Sequence, residues 1–165
     1  MFAIRKPFTR RSTRKLLLLL FVPALAFVAV GVALATPGEG TVGIIFNRGS
    51  NPDEVKIHTD EIKFKTDGPT DILVVTQTWQ PGGHSGWHTH SGLVLFTLKS
   101  GTVSVFDGTC GERVVNAGDA FVEPVGEPME VKNYGTVPAV AYFAIVNAPG
   151  VPGKDDAPNP GCDIP

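Results

Sequence analysis

From residue 41 to residue 146 the chain alternates short apolar runs with turn signals, and the apolar positions recur with the period of β-strands. Val42, Ile44 and Phe46 alternate within Thr41 to Arg48, and Gly49-Ser50-Asn51-Pro52 predicts a turn after them. Val55-Lys56-Ile57 and Ile62-Lys63-Phe64-Lys65 alternate as half-buried antiparallel strands do. The strongest run is Asp71 to Gln80, rich in branched and aromatic side chains, and Pro81-Gly82-Gly83 is expected to break it. Further strands are predicted at 93–98, 102–106, 112–115, 120–123, 129–134 and 139–146, with Ser100-Gly101, Asp107-Gly108, Asn116 to Asp119, Pro124 to Pro128 and Gly135 to Pro138 as turns or loops. Long helical periodicity is absent beyond residue 36. Short strands at this spacing predict an all-β sandwich or barrel, of which a jelly roll closes the sheet edges that would otherwise invite aggregation.

The N-terminal stretch has a different pattern. Arg5, Lys6, Arg10, Arg11, Arg14 and Lys15 precede an uncharged, mostly apolar run from Leu16 to Ala33, and Ala33-Leu34-Ala35 has the small-x-small form of a signal-peptidase site. A cleaved signal peptide is one reading. An uncleaved anchor helix through residues 16–33 is the other, since the run is about as long as a short membrane span. Either places the domain outside the cytoplasm, secreted or membrane-anchored. Thr9-Arg10-Arg11 lacks the apolar pair that follows a twin-arginine signal. The chain thus divides into a signal or anchor at 1–35, a leader and edge strands at 36–69, a barrel at 70–147 and a Pro/Gly-rich tail at 148–165. The six basic residues of 1–35 mask the charge of the rest. Residues 36–165 carry eight Lys/Arg against sixteen Asp/Glu, a net −8, which argues against nucleic acid as a partner. Two cysteines, Cys110 and Cys162, stand far apart. In an oxidising compartment a disulfide is the simplest reading, and closing such a loop contributes about 3–4 kcal/mol. Two free thiols are the alternative, and no zinc-ligand spacing is present.

Candidate chemistry concentrates in Gly82-Gly83-His84-Ser85-Gly86-Trp87-His88-Thr89-His90, which holds three of the four histidines. On a strand, His88 and His90 project from one face, as neighbouring metal ligands do. His58 reads as an exposed loop residue. Gly82, His88, His90 and Gly101 fall in register with one motif, and Gly118, Pro124, Gly126 and Asn133 with a second. Together these resemble the two signatures of the cupins: Gly, five residues, His-x-His, three or four residues, Glu, six residues, Gly; then Gly, five residues, Pro-x-Gly, two residues, His, three residues, Asn. The resemblance covers about residues 70–147. It extends to exported single-domain bacterial cupins with Gly-Trp-His-x-His, a cysteine after an Asp-Gly turn and a second near the C-terminus. It implies a jelly-roll barrel (double-stranded β-helix), here preceded by the signal or anchor helix, and by analogy a homodimer.

The resemblance also implies a metal held by three His and one Glu, and here the chain departs. Val94 stands at the Glu position and Met129 at the last His position. Two imidazoles alone are a poor site for zinc, manganese or iron. His84 could fold in as a third ligand. Alternatively the Met129 thioether could join the imidazoles, a set suited to copper. In the bland reading Val94 and Met129 are apolar lining. Losing the Glu is expected to leave a less charged pocket, suited to an apolar or uncharged small molecule. Trp79 and Trp87 flank the histidines, as stacking surfaces or as core residues, and Tyr142 could point into the barrel. Glu123 is either a carboxylate near the barrel mouth or an exposed acid at a turn. No catalytic triad spacing, phosphate-binding glycine loop, HExxH motif or dinucleotide fingerprint is present. Three functions follow: an exported cupin that binds a metal ion or small molecule through His88 and His90, a metal-dependent dioxygenase- or isomerase-like enzyme with an altered ligand set, or a non-catalytic structural protein of the envelope.

Overall fold

The computed structural model describes residues 35–165. The expected signal or anchor helix, with its apolar run at 16–33, lies outside the described residues. The described chain is all-β and forms a nearly closed barrel with no helix among the described residues. Its strands are β1 (Glu39–Asn51), β2 (Lys56–His58), β3 (Lys63–Lys65), β4 (Thr70–His84), β5 (His88–Thr89), β6 (Leu93–Ser100), β7 (Thr102–Asp107), β8 (Glu112–Asn116), β9 (Ala120–Glu123), β10 (Met129–Lys132), β11 (Ala139–Asn147) and β12 (Asp155–Asp156). β2 and β3 form a separate hairpin. The others make one curled sheet, with β1-β4-β11-β6-β9 on one side and β8-β7-β10, joined by β5 and β12, on the other.

Strand parity decides what faces inward. Leu73, Val75, Gln77 and Trp79 of β4 lie in register with Ile145, Phe143, Ala141 and Ala139 of β11. The same face continues through Val94, Phe96 and Leu98 of β6. Trp79, Phe96 and Leu98 pack against Val103, Val105, Val115, Met129 and Val131 from the opposite side. Each large apolar side chain fully buried here contributes about 1.5–3 kcal/mol. The outer face is unusually apolar: Ile72 and Val74 of β4, Leu95 of β6 and Val122 of β9 are exposed.

Three expectations change. Pro81-Gly82-Gly83 does not end β4 but turns it around a corner. Gly82 takes a φ of 77°, a conformation easy only for glycine. Its N–H donates to Asn133 O (2.8 Å), and Asn133 N–H donates to Gly83 O (2.9 Å), so the strand passes from one side of the barrel to β10 on the other. Asn133 is fully buried, and its amide donates to Trp79 O (3.0 Å) and Val137 O (2.9 Å), which locks the same corner. Next, Gly49-Ser50-Asn51 is not a turn. β1 continues through it because Ser50 and Arg48 both bind Asp71 of β4, at 2.6 and 2.8 Å. Finally, the leader is tied down: Thr36 N–H donates to Ala157 O (3.3 Å), and Trp87 N–H donates to Thr36 Oγ1 (3.0 Å).

The tail crosses the barrel as a strap. Cys110 and Cys162 form a disulfide with a Cα separation of 5.4 Å, and Ala157 N–H donates to Trp87 O (2.8 Å). Replacing both cysteines by serine is expected to lower the unfolding free energy by about 2–4 kcal/mol, read from urea denaturation; an unchanged midpoint would show that the tail is held by its hydrogen bonds alone. Asp71 yields a pH prediction. The Ser50 hydroxyl, the Gly150 N–H and the Arg48 guanidinium hold its carboxyl down at about 2. A depressed carboxyl stabilises the fold fully above its ordinary pKa, and that contribution disappears as pH falls toward about 2. Asp71→Asn is therefore expected to cost stability at pH 7 and to flatten the loss between about pH 4 and pH 2, measured by thermal unfolding across that range.

Candidate functional site

The barrel interior contains a cavity of about 440 Å³. Leu73, Val75, Trp79, Phe143 and Ile145 make its apolar wall, with Ile45 of β1 at one side. Ser85, His88, His90, Glu123 and Lys154 supply polar groups on the rest of the lining. The volume is that of a small-molecule site.

The two imidazoles come together as parity predicts. Their ring centroids are 4.9 Å apart and the rings are perpendicular. Both are buried, and each is fixed through Nδ1 by a backbone carbonyl. His88 Nδ1 lies 2.9 Å from Gly86 O, and His90 Nδ1 lies 2.7 Å from Gly153 O. A carbonyl only accepts, so each Nδ1 must carry the proton, and Nε2 is left as the nitrogen available to a ligand. The Gly86 carbonyl also accepts from Ser85 Oγ (2.9 Å), which itself accepts from Val131 N–H (2.8 Å). The ring of His88 is thus tied to β10, and that of His90 to the tail.

Glu123 closes on this pair. It is 2 % exposed, and its Oε2 lies 2.8 Å from His90 Nε2. At that distance the carboxylate and the ring form a buried ion-pair contact. The electrostatics separate the two histidines. Burial, only partly opposed by the Gly86 carbonyl, pushes His88 down to about 3, so it is neutral at neutral pH. Burial also disfavours charge on His90, but the contact with Glu123 and its negative charge outweigh it, and the His90 pKa is raised.

The other expected residues are placed as follows. His84, at the end of β4, does not line the cavity; its Nδ1 sits 2.9 Å from Glu130 Oε1 and 3.2 Å from Gly86 N. Met129 pairs with His88 in register but is wholly buried in the hydrophobic core rather than in the cavity wall. Three pocket expectations are corrected. Val94 is fully buried behind Leu73 and Ile145. Trp87 packs under the disulfide with Phe106, Cys162 and Ile164. Tyr142 points outward, 38 % exposed, because parity on β11 gives the interior to Ala141 and Phe143; its hydroxyl bonds Lys99 Nζ at 3.2 Å. His58 is exposed on β2. The expectation of a less charged pocket also falls, since Glu123 is an interior carboxylate. The sequence signal for it lay in cross-strand pairing: Glu123 is the direct partner of Val94, so both leave the same face. Gly153 and Lys154 of the tail were missed altogether.

The family described as Cupin domain matches residues 75–146. Residues 75–146 are a cupin domain. Among solved structures, the cupin is similar to an uncharacterized conserved protein with a double-stranded β-helix domain from Klebsiella pneumoniae, at 24% identity and a TM-score of 0.46, over 65% of this chain and 86% of that one. It is also similar to a cupin domain from Bordetella pertussis (21% identity, TM-score 0.43, 59% of this chain and 96% of that one). A third is a predicted oxalate decarboxylase from Thermotoga maritima (19% identity, TM-score 0.42, 48% of this chain and 82% of that one). A search of curated proteins finds no match.

The cupin fold implies a metal, and the groups here that could contribute to one are the two imidazoles. Both histidines carry the carbonyl anchors that orient metal-binding imidazoles, while His90 Nε2 is already faced by Glu123 Oε2. Among the described residues, however, no group of three or more His, Cys, Asp or Glu side chains is placed to hold a metal ion. The anchoring depends on Gly86, whose φ is 66° and where a Cβ would lie 1.9 Å from Thr36 O. Gly86→Ala is therefore expected to lower stability by at least about 1–3 kcal/mol and to loosen His88, measured by thermal unfolding and by the histidine ring NMR signals. Parent-like values for both would show that the loop is not held as described.

Proposed function

We propose that this cupin is an exported binding module, taking a metal ion or a small molecule into the barrel cavity through His88 and His90. The observation that carries the reading is the pair of Nδ1 anchors, which fix the ring nitrogen each histidine offers before any ligand arrives. Preset donors lower the ordering cost of binding. The largely apolar wall around them suits a small ligand with a compact polar end. Trp79 adds a donor: it lines the cavity, and its buried Nε1–H has no acceptor within the protein. The basic, apolar N-terminal segment and the disulfide support export.

The test is binding by the protein purified without a polyhistidine tag, beside a His88→Ala/His90→Ala variant. Native mass spectrometry reads any retained small molecule, and calorimetric titration reads zinc, manganese, iron, nickel and copper. About one equivalent of ion or small molecule, lost in the variant, is the expected result. A parent that holds neither, or holds them equally in the variant, would overturn the reading.

A further inference from the structure

We infer that the cavity takes an uncharged hydroxyl compound, an alcohol or phenol with an apolar body, whose O–H donates to His88 Nε2 with no metal ion between them. This rests on the reading that the cavity is a binding site, and narrows it to one class of ligand. Three observations carry it.

First, most polar groups of the lining are already engaged within the protein. His90 Nε2 faces Glu123 Oε2 at 2.8 Å, and both atoms are sealed from solvent. Ser85 Oγ donates to Gly86 O (2.9 Å) and accepts from Val131 N–H (2.8 Å). Gln77 Nε2 donates to Thr41 Oγ1, which donates in turn to Thr78 O (3.0 Å). Lys154 Nζ is held by Asp156 Oδ1 (2.9 Å) and Ser85 O (3.2 Å). An anionic ligand therefore meets a lysine that already has its counter-charge, and a cationic one meets a carboxylate closed off by an imidazole. Desolvating a charge without a partner is costly, so the ligand is uncharged.

Second, one acceptor is left over. The Gly86 carbonyl, 2.9 Å from His88 Nδ1, holds the ring proton there, so Nε2 presents a lone pair. Nothing bonds this nitrogen among the described residues, and unlike His90 Nε2 it is not sealed off. It requires a donor. The cavity wall also holds the buried Nε1–H of Trp79, a donor without an acceptor. A hydroxyl is an uncharged group that donates and accepts through a single atom.

Third, the rest of the wall is hydrocarbon. Leu73, Val75, Phe143 and Ile145 border the cavity of about 440 Å³ and carry no polar side-chain atom. The body of the ligand gains about 25 cal/mol for each Å² of apolar surface it buries against them. A sugar or other polyol would leave most of its hydroxyls unpaired on such a wall. A hydroxyl on an apolar skeleton fits it.

The experiment titrates the protein, purified without a polyhistidine tag, with probes of one shape: 2-naphthol, 2-methylnaphthalene, 2-naphthoate and 2-naphthylmethylammonium. Binding is read by calorimetry and by probe fluorescence, with and without EDTA. The parent is expected to bind about one equivalent of 2-naphthol, unaffected by EDTA, and to bind both charged probes more weakly. In His88→Phe the affinity for 2-naphthol relative to 2-methylnaphthalene is expected to fall about tenfold, because the hydroxyl is left unpaired. An unchanged ratio, or tighter binding of either charged probe, would overturn the assignment while leaving the cavity reading intact. Loss of 2-naphthol binding in EDTA, regained with an added ion, would overturn the direct contact. Binding of none of the probes would overturn the assignment too, and the ion titrations and the retained small molecule would then judge the cavity separately. Should His88→Phe not fold, nitrogen NMR of the parent decides: a His88 Nε2 signal shifted by 2-naphthol and not by 2-methylnaphthalene supports the contact, and equal shifts refute it.

Discussion

Two backbone carbonyls, Gly86 O and Gly153 O, hold the imidazoles of the site, and neither belongs to a regular barrel strand. Their positions depend on how the ends of the described chain interlock. Thr36 bonds both Trp87 and Ala157, and Ala157 in turn bonds Trp87, so leader, histidine strand and tail meet at one junction. The left-handed Gly86 lies directly against the leader, where nothing larger fits. On the other side, Asn147 donates to Pro152 O at 2.7 Å, which shapes the approach to Gly153. The tail is pinned further on by the disulfide and by the short pairing of β12 with β5. A segment whose composition reads as irregular thus supplies one of the two orienting contacts.

The second constraint is electrostatic. Burying an imidazole and a carboxylate together costs several kcal/mol per ion if both are charged (about that order in relaxed proteins). Here the 2.8 Å contact between His90 Nε2 and Glu123 Oε2 recovers part of that cost. The protein sustains the arrangement with a wide apolar surround. Trp79, Phe96, Leu98, Met129 and Val131 pack below the site, and Leu73, Val94 and Ile145 beside it. Met129 and Val94 contribute to it as fully buried core residues.

Much of this was legible in the sequence. The strands from residue 93 to 147 appear within two residues of where alternation places them, because each carries strong β-formers bounded by turn residues. The His88 and His90 pairing followed from strand parity. The failures share a cause, which is that they depend on contacts between distant segments. Pro81-Gly82-Gly83 looks like a break until Asn133 is seen to receive the strand on the far side. Ser50 and Asn51 look like a turn until Asp71 is opposite them. Tyr142 could not be oriented because both faces of β11 are apolar, so alternation had no polar side to point to water. Trp87 lies next to the histidines in sequence yet faces away from the cavity, toward the disulfide.

Glu123 shows most clearly what a linear reading omits. Along the chain it precedes a proline and follows a short strand, which is the setting of an exposed turn acid. Its burial is decided by the registry of β9 against β6, where Phe121 opposite Phe96 fixes the inward face and Glu123 opposite Val94 must follow it two residues on. An aromatic pair with centroids 4.6 Å apart is an effective pin, since slipping by one residue would expose both rings and turn the carboxylate out to solvent. The same registry that packs the core therefore delivers a charge into the cavity. A motif read position by position records a missing carboxylate at residue 94; a sheet read strand by strand finds one 29 residues later, on the same face.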